Sequence, residues 1–273
     1  MIYLCTAMYI EAEMFINKLH LKKDTSITKF QVFKNEHITL IITGVSKLKA
    51  CIALTYLLSN KKINSSDFII NIGLCGTISR NLNIGETFLC NKIIDNDSKR
   101  TYFSDILFKH PFKENSIETC SKTITSNNNI EAELVDMESS GIYESALTFV
   151  EAHQIVFIKI ISDYLNVDKI DTSKLKTILN DSSDIIINWI NTISSNFKYS
   201  KNIFTSKDIE NITKISTNLK FSTTMKNEFK QILKYNNLLN GNFKEIINES
   251  LELQCNSKKE GKMYLEKLKQ KYI

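Results

Sequence analysis

Short apolar runs alternate with amphipathic stretches along the chain as far as about Tyr199. Ile2–Thr6, Phe68–Asn71 and Ile155–Ile161 are nearly unbroken apolar and β-branched runs, the pattern of strands buried on both faces. Tyr9–Leu19 predicts a helix with Met14, Phe15 and Leu19 inward, and Ser46 caps a second helix running to Leu58. Phe30–Phe33 and Ile38–Ile42 are expected strands, joined by a turn at Lys34-Asn35-Glu36. Gly73 and Gly76 predict a tight turn after the Phe68–Asn71 strand, where backbone can approach a ligand. Glu86–Ile94 and Ile117–Ile124 add strands around a polar, irregular stretch, Asp95–Asp105, and Ser126–Asn129 is a polar turn. Leu134 and Val135 end a further strand before a helix from Ser139 to Val150, and the Ile155–Ile161 strand precedes a helix from Ser173 to Asn196. Such alternation predicts an α/β fold: a mixed, mostly parallel twisted sheet flanked by helices on both faces.

After Tyr199 the strand pattern stops. Asp208–Ile215, Thr224–Leu239, Phe243–Leu253 and Lys262–Tyr272 predict helices, with a cap at Ser222–Thr224 and a stop at Gly241. The expected organisation is an α/β domain over residues 1–199 and a helical appendage over 200–273. The lysines of the appendage read as a solvated helix face rather than a nucleic-acid surface. A protein partner for its helices is the functional alternative.

Composition narrows the classes. The 273 residues are 42% hydrophobic, enough for a substantial core. No segment has the length and purity of a membrane span. Ile2–Thr6 is too short for a signal peptide and lacks a basic start. The expectation is a cytoplasmic protein with no membrane association. Six cysteines form no C-x-x-C pair, and His110, His153 and the other two histidines show no ligand spacing. Reduced core cysteines are expected, with no metal and no cofactor. The net charge of +5 comes from lysine; Arg80 and Arg100 are the only arginines, which disfavours a nucleic-acid reader.

Two stretches carry candidate chemistry. Val135-Asp136-Met137-Glu138-Ser139-Ser140-Gly141 sits where a strand gives way to a helix. Glu138 would stand at the carboxyl edge of the sheet, where ligands of open α/β folds bind. A capping carboxylate on an ordinary helix is its bland alternative. Ser162-Asp163 follows directly on the Ile155–Ile161 run, so Glu138 and Asp163 form a plausible pair of acid and ligand-holding carboxylate at two strand ends. Arg100 and Tyr102 could line a pocket or an interface, against an ordinary surface loop.

Together, V-D-M-E-S-S-G and K-I-I-S-D resemble the purine nucleoside phosphorylase/nucleosidase superfamily, most of all its methylthioadenosine/S-adenosylhomocysteine nucleosidase branch. The likeness runs from Met1 to about Asn196. It includes Ala7-Met8-Tyr9-Ile10-Glu11, Thr43-Gly44-Val45-Ser46-Lys47, Asn71-Ile72-Gly73-Leu74-Cys75-Gly76 and Ile84-Gly85-Glu86. The resemblance implies the same fold, a homodimer, and cleavage of a purine N-glycosidic bond. It makes Asp163 the acid to purine N7, with Ser162 beside it, and Glu11 the base for the attacking water. Glu138 would accept the ribose hydroxyls, with Met137 against the sugar and Cys75 and Gly76 at the substrate. Lys159 matches an arginine of the nucleosidases and would help hold Glu11 or the water.

The chain departs from its relatives at several points. Asn71 and Leu74 replace an arginine and a serine that meet phosphate in the hexameric phosphorylases, so water is the expected nucleophile. Leu74 also differs from the serine of the nucleosidases. Asp136 replaces a glutamate, Asn166 a second acid, and Asn127–Glu133 is shorter than the loop that closes over the base. Hydrolysis is therefore expected, with phosphorolysis or a non-catalytic nucleoside-binding module bearing a partner-binding tail as alternatives.

Overall fold

The computed structural model describes residues 1–125, 129–165, 171–198, 204–240 and 243–272. Most of the Ser126–Asn129 turn, Asn166, Tyr199 and Gly241 lie outside the described residues. The chain divides into two compact units, Met1–Lys198 and Tyr199–Ile273.

In the first unit the elements are β1 (Ile2–Thr6), α1 (Tyr9–Lys18), β2 (Lys22–Lys23), β3 (Gln31–Lys34), β4 (Ile38–Ile42), α2 (Lys47–Leu58) and β5 (Phe68–Thr77). There follow β6 (Thr87–Asp95), β7 (Thr101–Phe103), β8 (Lys113–Thr119), β9 (Leu134–Asp136), α3 (Ser139–Ala146), a 3₁₀ turn (Ala152–Gln154), β10 (Ile155–Asp163) and α4 (Thr172–Lys198). All ten strands belong to one sheet, in the order β10-β6-β8-β9-β5-β1-β4-β3-β2, with β7 beside β6. β5 also pairs with β10, so β10, β6, β8, β9 and β5 close into a ring while β1, β4, β3 and β2 extend from it as an open wing. The sheet is mixed. β4, β1, β5 and β10 run parallel, as do β6, β8 and β9, whereas β6–β10, β5–β9 and the outer β2–β3–β4 pairings are antiparallel.

Alternation along each strand divides the interior. Tyr3, Cys5, Ile69 and Phe157 face the side covered by Ala53, Leu54 and Leu57 of α2 and Ile142 of α3. Leu4, Ile70, Val156 and Ile158 face Phe15 of α1 and Ile186 and Trp189 of α4.

Four features differ from the sequence pattern. The Phe68–Asn71 strand does not turn at Gly73 but continues to Thr77, because β10 pairs along it to Gly76 and β9 takes Gly76 and Thr77. The strand expected at Ile117–Ile124 lies earlier, at Lys113–Thr119, where polar residues pair with β6; ladder hydrogen bonds are made by backbone and do not require apolar side chains. A short strand, β7, occupies part of the stretch expected to be irregular. The helix from Ser139 ends at Ala146, before the turns that lead to Val150.

The second unit comprises α5 (Ser206–Asn218), α6 (Thr223–Asn240), α7 (Lys244–Leu251) and α8 (Lys258–Tyr272). Ile212, Ile215, Leu219, Phe229, Leu233, Ile246, Leu265 and Leu268 form its core. Thr205 caps α5, its hydroxyl accepting from Asp208 N while donating to the Asp208 carboxylate. Residues 199–273 hold fourteen lysines, no arginine and eight carboxylates, a net of +6, which leaves residues 1–198 at −1 of the total +5. Among the described residues no helix is long and apolar enough to cross a membrane.

Candidate active site

A cleft of about 310 Å³ opens where the carboxyl ends of several strands meet. Ala7 and Met8 follow β1, Val45 follows β4, Leu74–Gly76 end β5, Lys122–Ile124 follow β8, Val135–Glu138 span the end of β9, and Ser162–Asp163 end β10. Leu165 and Leu175 complete the wall. This is the position at which α/β sheets bind ligands, and the volume lies in the range of small-molecule sites.

Glu11 enters the cleft from the first turn of α1 and is 2% exposed. Its Oε2 accepts from the backbone N–H groups of Ala7 and Met8, both at 2.8 Å, and its Oε1 accepts from Leu74 N at 2.9 Å. Burial raises its pKa, opposed by these N–H donors and by the positive charge of Lys159. Gly73 makes this possible. A Cβ there would stand 3.2 Å from Glu11 Oε1 and 3.7 Å from Lys159 Nζ.

Glu138 precedes α3 and is 7% exposed. Ser46 N donates to its Oε1 at 3.0 Å. Ser46 reaches this point with φ at +122°, a conformation that L side chains rarely adopt. Burial, reinforced by the negative charge of Asp136, pushes the Glu138 pKa up to about 7, against the pull of Lys159. Met137 and Glu138 thus line the same cleft as Glu11 and Asp163.

At the far wall Ser162 Oγ donates to Asp163 Oδ2 at 2.6 Å and lies 3.1 Å from the Cys75 carbonyl, which it can also engage. Both residues are half-buried, at a register shift between Ile161 and Asp163 that sets Asp163 opposite Gly76. Burial raises the Cys75 thiol well above its ordinary value, so it is a neutral wall rather than a nucleophile.

Lys159 has Asp136 as its direct partner. It lies behind the cleft, 1% exposed, and its Nζ is paired with Asp136 Oδ2 at 2.7 Å rather than with Glu11. Burial alone would lower its pKa, but Asp136 and Glu138 outweigh that and raise it. Asp136 is saturated. Its Oδ2 also accepts from Ser139 N and Oγ, and its Oδ1 from Thr119 Oγ1. Glu11 acts on Lys159 only through its charge.

Arg100 and Tyr102 are not in the cleft. Arg100 pairs with Glu144 at 3.6 Å and Tyr102 donates to the same carboxylate, at a second cavity lined by Lys47, Asp95, Ser140 and Glu144. His110 stacks on Phe112 beside Glu114. Among the described residues no group of His, Cys, Asp and Glu could hold a metal ion. Sequence reasoning gave no role to Met8, Val45, Lys122, Ile124, Leu165 and Leu175, which line the cleft; Met8 and Val45 stand in stretches that carry the family resemblance, and nothing in the local pattern marks the other four.

No protein-family model matches the chain. It is 29% identical over 125 residues to the 5′-methylthioadenosine/S-adenosylhomocysteine nucleosidase of Buchnera aphidicola subsp. Baizongia pistaciae, a match covering 44% of this chain and 46% of that protein. The matched region thus spans about half the length of this curated relative. Among solved structures, the nucleosidase from Neisseria meningitidis in complex with methylthio-immucillin-A superposes with a TM-score of 0.58 at 16% identity, covering 68% of this chain and 96% of that one. The S-adenosylhomocysteine nucleosidase from Streptococcus pyogenes gives 0.60 at 17% identity, covering 70% and 96%. A futalosine hydrolase mutant of Helicobacter pylori gives 0.59 at 11% identity, covering 70% and 98%. At these identities the likeness is one of architecture, and the first unit of this chain has the nucleoside phosphorylase-like α/β fold in the form found in methylthioadenosine/S-adenosylhomocysteine nucleosidases.

Proposed function

We propose that the α/β unit is a nucleosidase that hydrolyses the N-glycosidic bond of methylthioadenosine, S-adenosylhomocysteine or a related purine nucleoside. The observation that carries this is the convergence of Glu11, Glu138 and Asp163 on one cleft with an otherwise largely apolar wall. In the proposed reaction the C1′–N9 bond breaks with its electron pair going to the base, and Asp163 supplies a proton at N7. Glu138 accepts the ribose hydroxyls, and Met137 packs on the sugar. Glu11 takes a proton from the attacking water as its oxygen bonds to C1′. Its oriented carboxylate and burial-raised pKa suit a general base. Lys159 fixes Asp136 and lends positive charge to both glutamates. Cys75, Gly76 and Ser162 form the wall beside the base.

Water is favoured over phosphate because Lys122 is the only cation among the described residues lining the cleft, whereas phosphate is met by several converging donors. The structural neighbours include both adenosine-thioether nucleosidases and a futalosine hydrolase, so the 5′ substituent is the least constrained part of the assignment. A non-catalytic binding module has less need of Glu11, buried and bound by three N–H groups.

The proposal extends to a cytoplasmic homo-oligomer. Its supports are six free cysteines and an exposed apolar stripe, Leu48, Ile52 and Tyr56, at four-residue spacing along α2. The helical unit is assigned to a protein partner, on the strength of its separate core and its +6 charge. The experiment for the reaction incubates the protein with a nucleoside panel, with and without phosphate. Free base independent of phosphate supports hydrolysis; ribose-1-phosphate would refute it.

A further inference from the structure

The Ser-Ser-Gly that follows Glu138 is not used by the chemistry above, yet each of its residues makes a specific buried contact. Ser139 is bound to Asp136 through both its N–H and its hydroxyl. Ser140 Oγ donates to Asp95 Oδ2 at 2.7 Å, and Ser140 N donates to Thr119 Oγ1 at 3.0 Å. Gly141 lies so close to the backbone of Lys47 that a Cβ would overlap the Lys47 carbonyl. Lys47 in turn pairs with the same Asp95 Oδ2 at 2.8 Å and with Asp97 at 2.5 Å.

Asp95 therefore holds the beginnings of two helices at once. It binds the first residue of α2 through Lys47 and the second residue of α3 through Ser140. Its remaining oxygen accepts from Ser98 N at 2.8 Å. It is 5% exposed and borders the second cavity rather than the cleft. The two residues on either side of this joint are Ser46, immediately before Lys47, and Glu138, two before Ser140. They are joined to each other by the Ser46 N–H to Glu138 Oε1 bond. That bond depends on a strained Ser46 backbone, and strain of this kind persists only where the surroundings over-determine it.

We propose that Asp95 is a positioning residue for Glu138, clamping the starts of α2 and α3 through Lys47 and Ser140 so that the Glu138 carboxylate is aimed at the ribose hydroxyls. The inference rests on the nucleosidase reading of the cleft. Asp95 itself touches no substrate. Loss of the clamp should loosen the recognition of the hydroxyls while leaving the base and the apolar wall intact.

The test measures equilibrium binding of two C-nucleosides, formycin A and 2′,3′-dideoxyformycin A, whose C–C glycosidic bond cannot be hydrolysed. The unsubstituted protein, Asp95→Asn and Ser140→Ala are compared; Ser140→Ala deletes a single hydroxyl and leaves the Asp95–Lys47 pair. The unsubstituted protein should prefer formycin A. In both variants that preference should shrink, by about tenfold for Asp95→Asn, the scale of a charge-assisted hydrogen bond. Affinity for the dideoxy compound should stay unchanged. General loosening of the fold would instead weaken both ligands together and overturns the proposal. An undiminished preference in both variants overturns it as well, with the nucleosidase reading intact. No preference in the unsubstituted protein overturns the reading first, and the positioning role with it.

Discussion

The two units of this chain handle charge in opposite ways. In the α/β unit Lys159, Glu11, Asp95, Glu118, Asp136 and Glu138 have been taken almost wholly out of water. In the helical unit Asp208 is the only buried ionisable side chain among the described residues, and it serves a helix cap. The described ion pairs of that unit, Lys269 with Glu228 and Glu266 and Lys271 with Glu249, leave 33–57% of each side chain exposed. Burying charge is costly unless every group is paired and hydrogen-bonded. The α/β unit meets that condition with Lys159–Asp136 and with the N–H donors around Glu11, and Glu11, Asp136 and Glu138 among these buried charges line the cleft. The helical unit follows the ordinary economy of an apolar core and a solvated surface.

The sharpest test of this contrast removes one lysine from each unit. Lys159→Met should cost the α/β unit about 3–5 kcal/mol, because it strands Asp136 as a buried charge; Lys269→Met should cost under about 1 kcal/mol. Denaturant melts of both variants decide it, and similar losses would erase the distinction. Next comes Glu11→Gln, which should lower base release about a hundredfold or more while nucleoside binding persists. Asp163→Asn should also lose turnover, with substrates carrying intrinsically good leaving groups spared more.

A pH titration follows in size. The folded-state pKa of Glu138 is raised to about 7 from an ordinary 4.5. A carboxyl raised in this way contributes stability that is fully present below about pH 4.5 and is lost as pH climbs through 7. The difference is on the order of 3 kcal/mol. Stability of Glu138→Gln should be flatter across that window, and in the unsubstituted protein base release should rise through pH 7 as Glu138 ionises. In the helical unit, Gly261→Ala should cost about 1–3 kcal/mol by overpacking, since its Cβ would collide with the Leu219 carbonyl; calorimetry should show the loss and base release should not change. The smallest effect is expected from deleting residues 199–273, which should leave the α/β unit folded and its base release unaltered. Collapse on truncation would show the helices to be integral.

Much of the α/β unit could be read in advance, because its strands are apolar enough to announce themselves. Ile155–Ile161 and Ile2–Thr6 sit where their hydrophobic runs placed them. β8 did not, since a strand that pairs inside a ring can begin on Lys113 and Glu114. In the cleft, Glu138 and Asp163 were legible because they stand at strand ends, and Glu11 and Met137 through the motifs that carry the family resemblance. Lys159 was legible as a residue but not in its contact. Asp136 and Glu11 are both acids within its reach, and the choice between them is settled by distances of a few ångströms across the sheet.

The sequence by itself determined the alternation of strand and helix, the change of character near Tyr199, and the carboxylates available at the strand ends. These are local properties, set by side-chain periodicity and residue type. The tertiary structure alone decided which groups meet. The Ser46 N–H on Glu138 and the Leu74 N–H on Glu11 are backbone donors, which every residue but proline possesses and which no sequence pattern distinguishes. Likewise the Asp95 clamp joins residues 45 and 48 positions apart, and the closure of β5 on β10 joins strands that 77 residues separate. Such contacts are products of the whole sheet, because register and ring closure bring distant carboxylates and donors within hydrogen-bond distance.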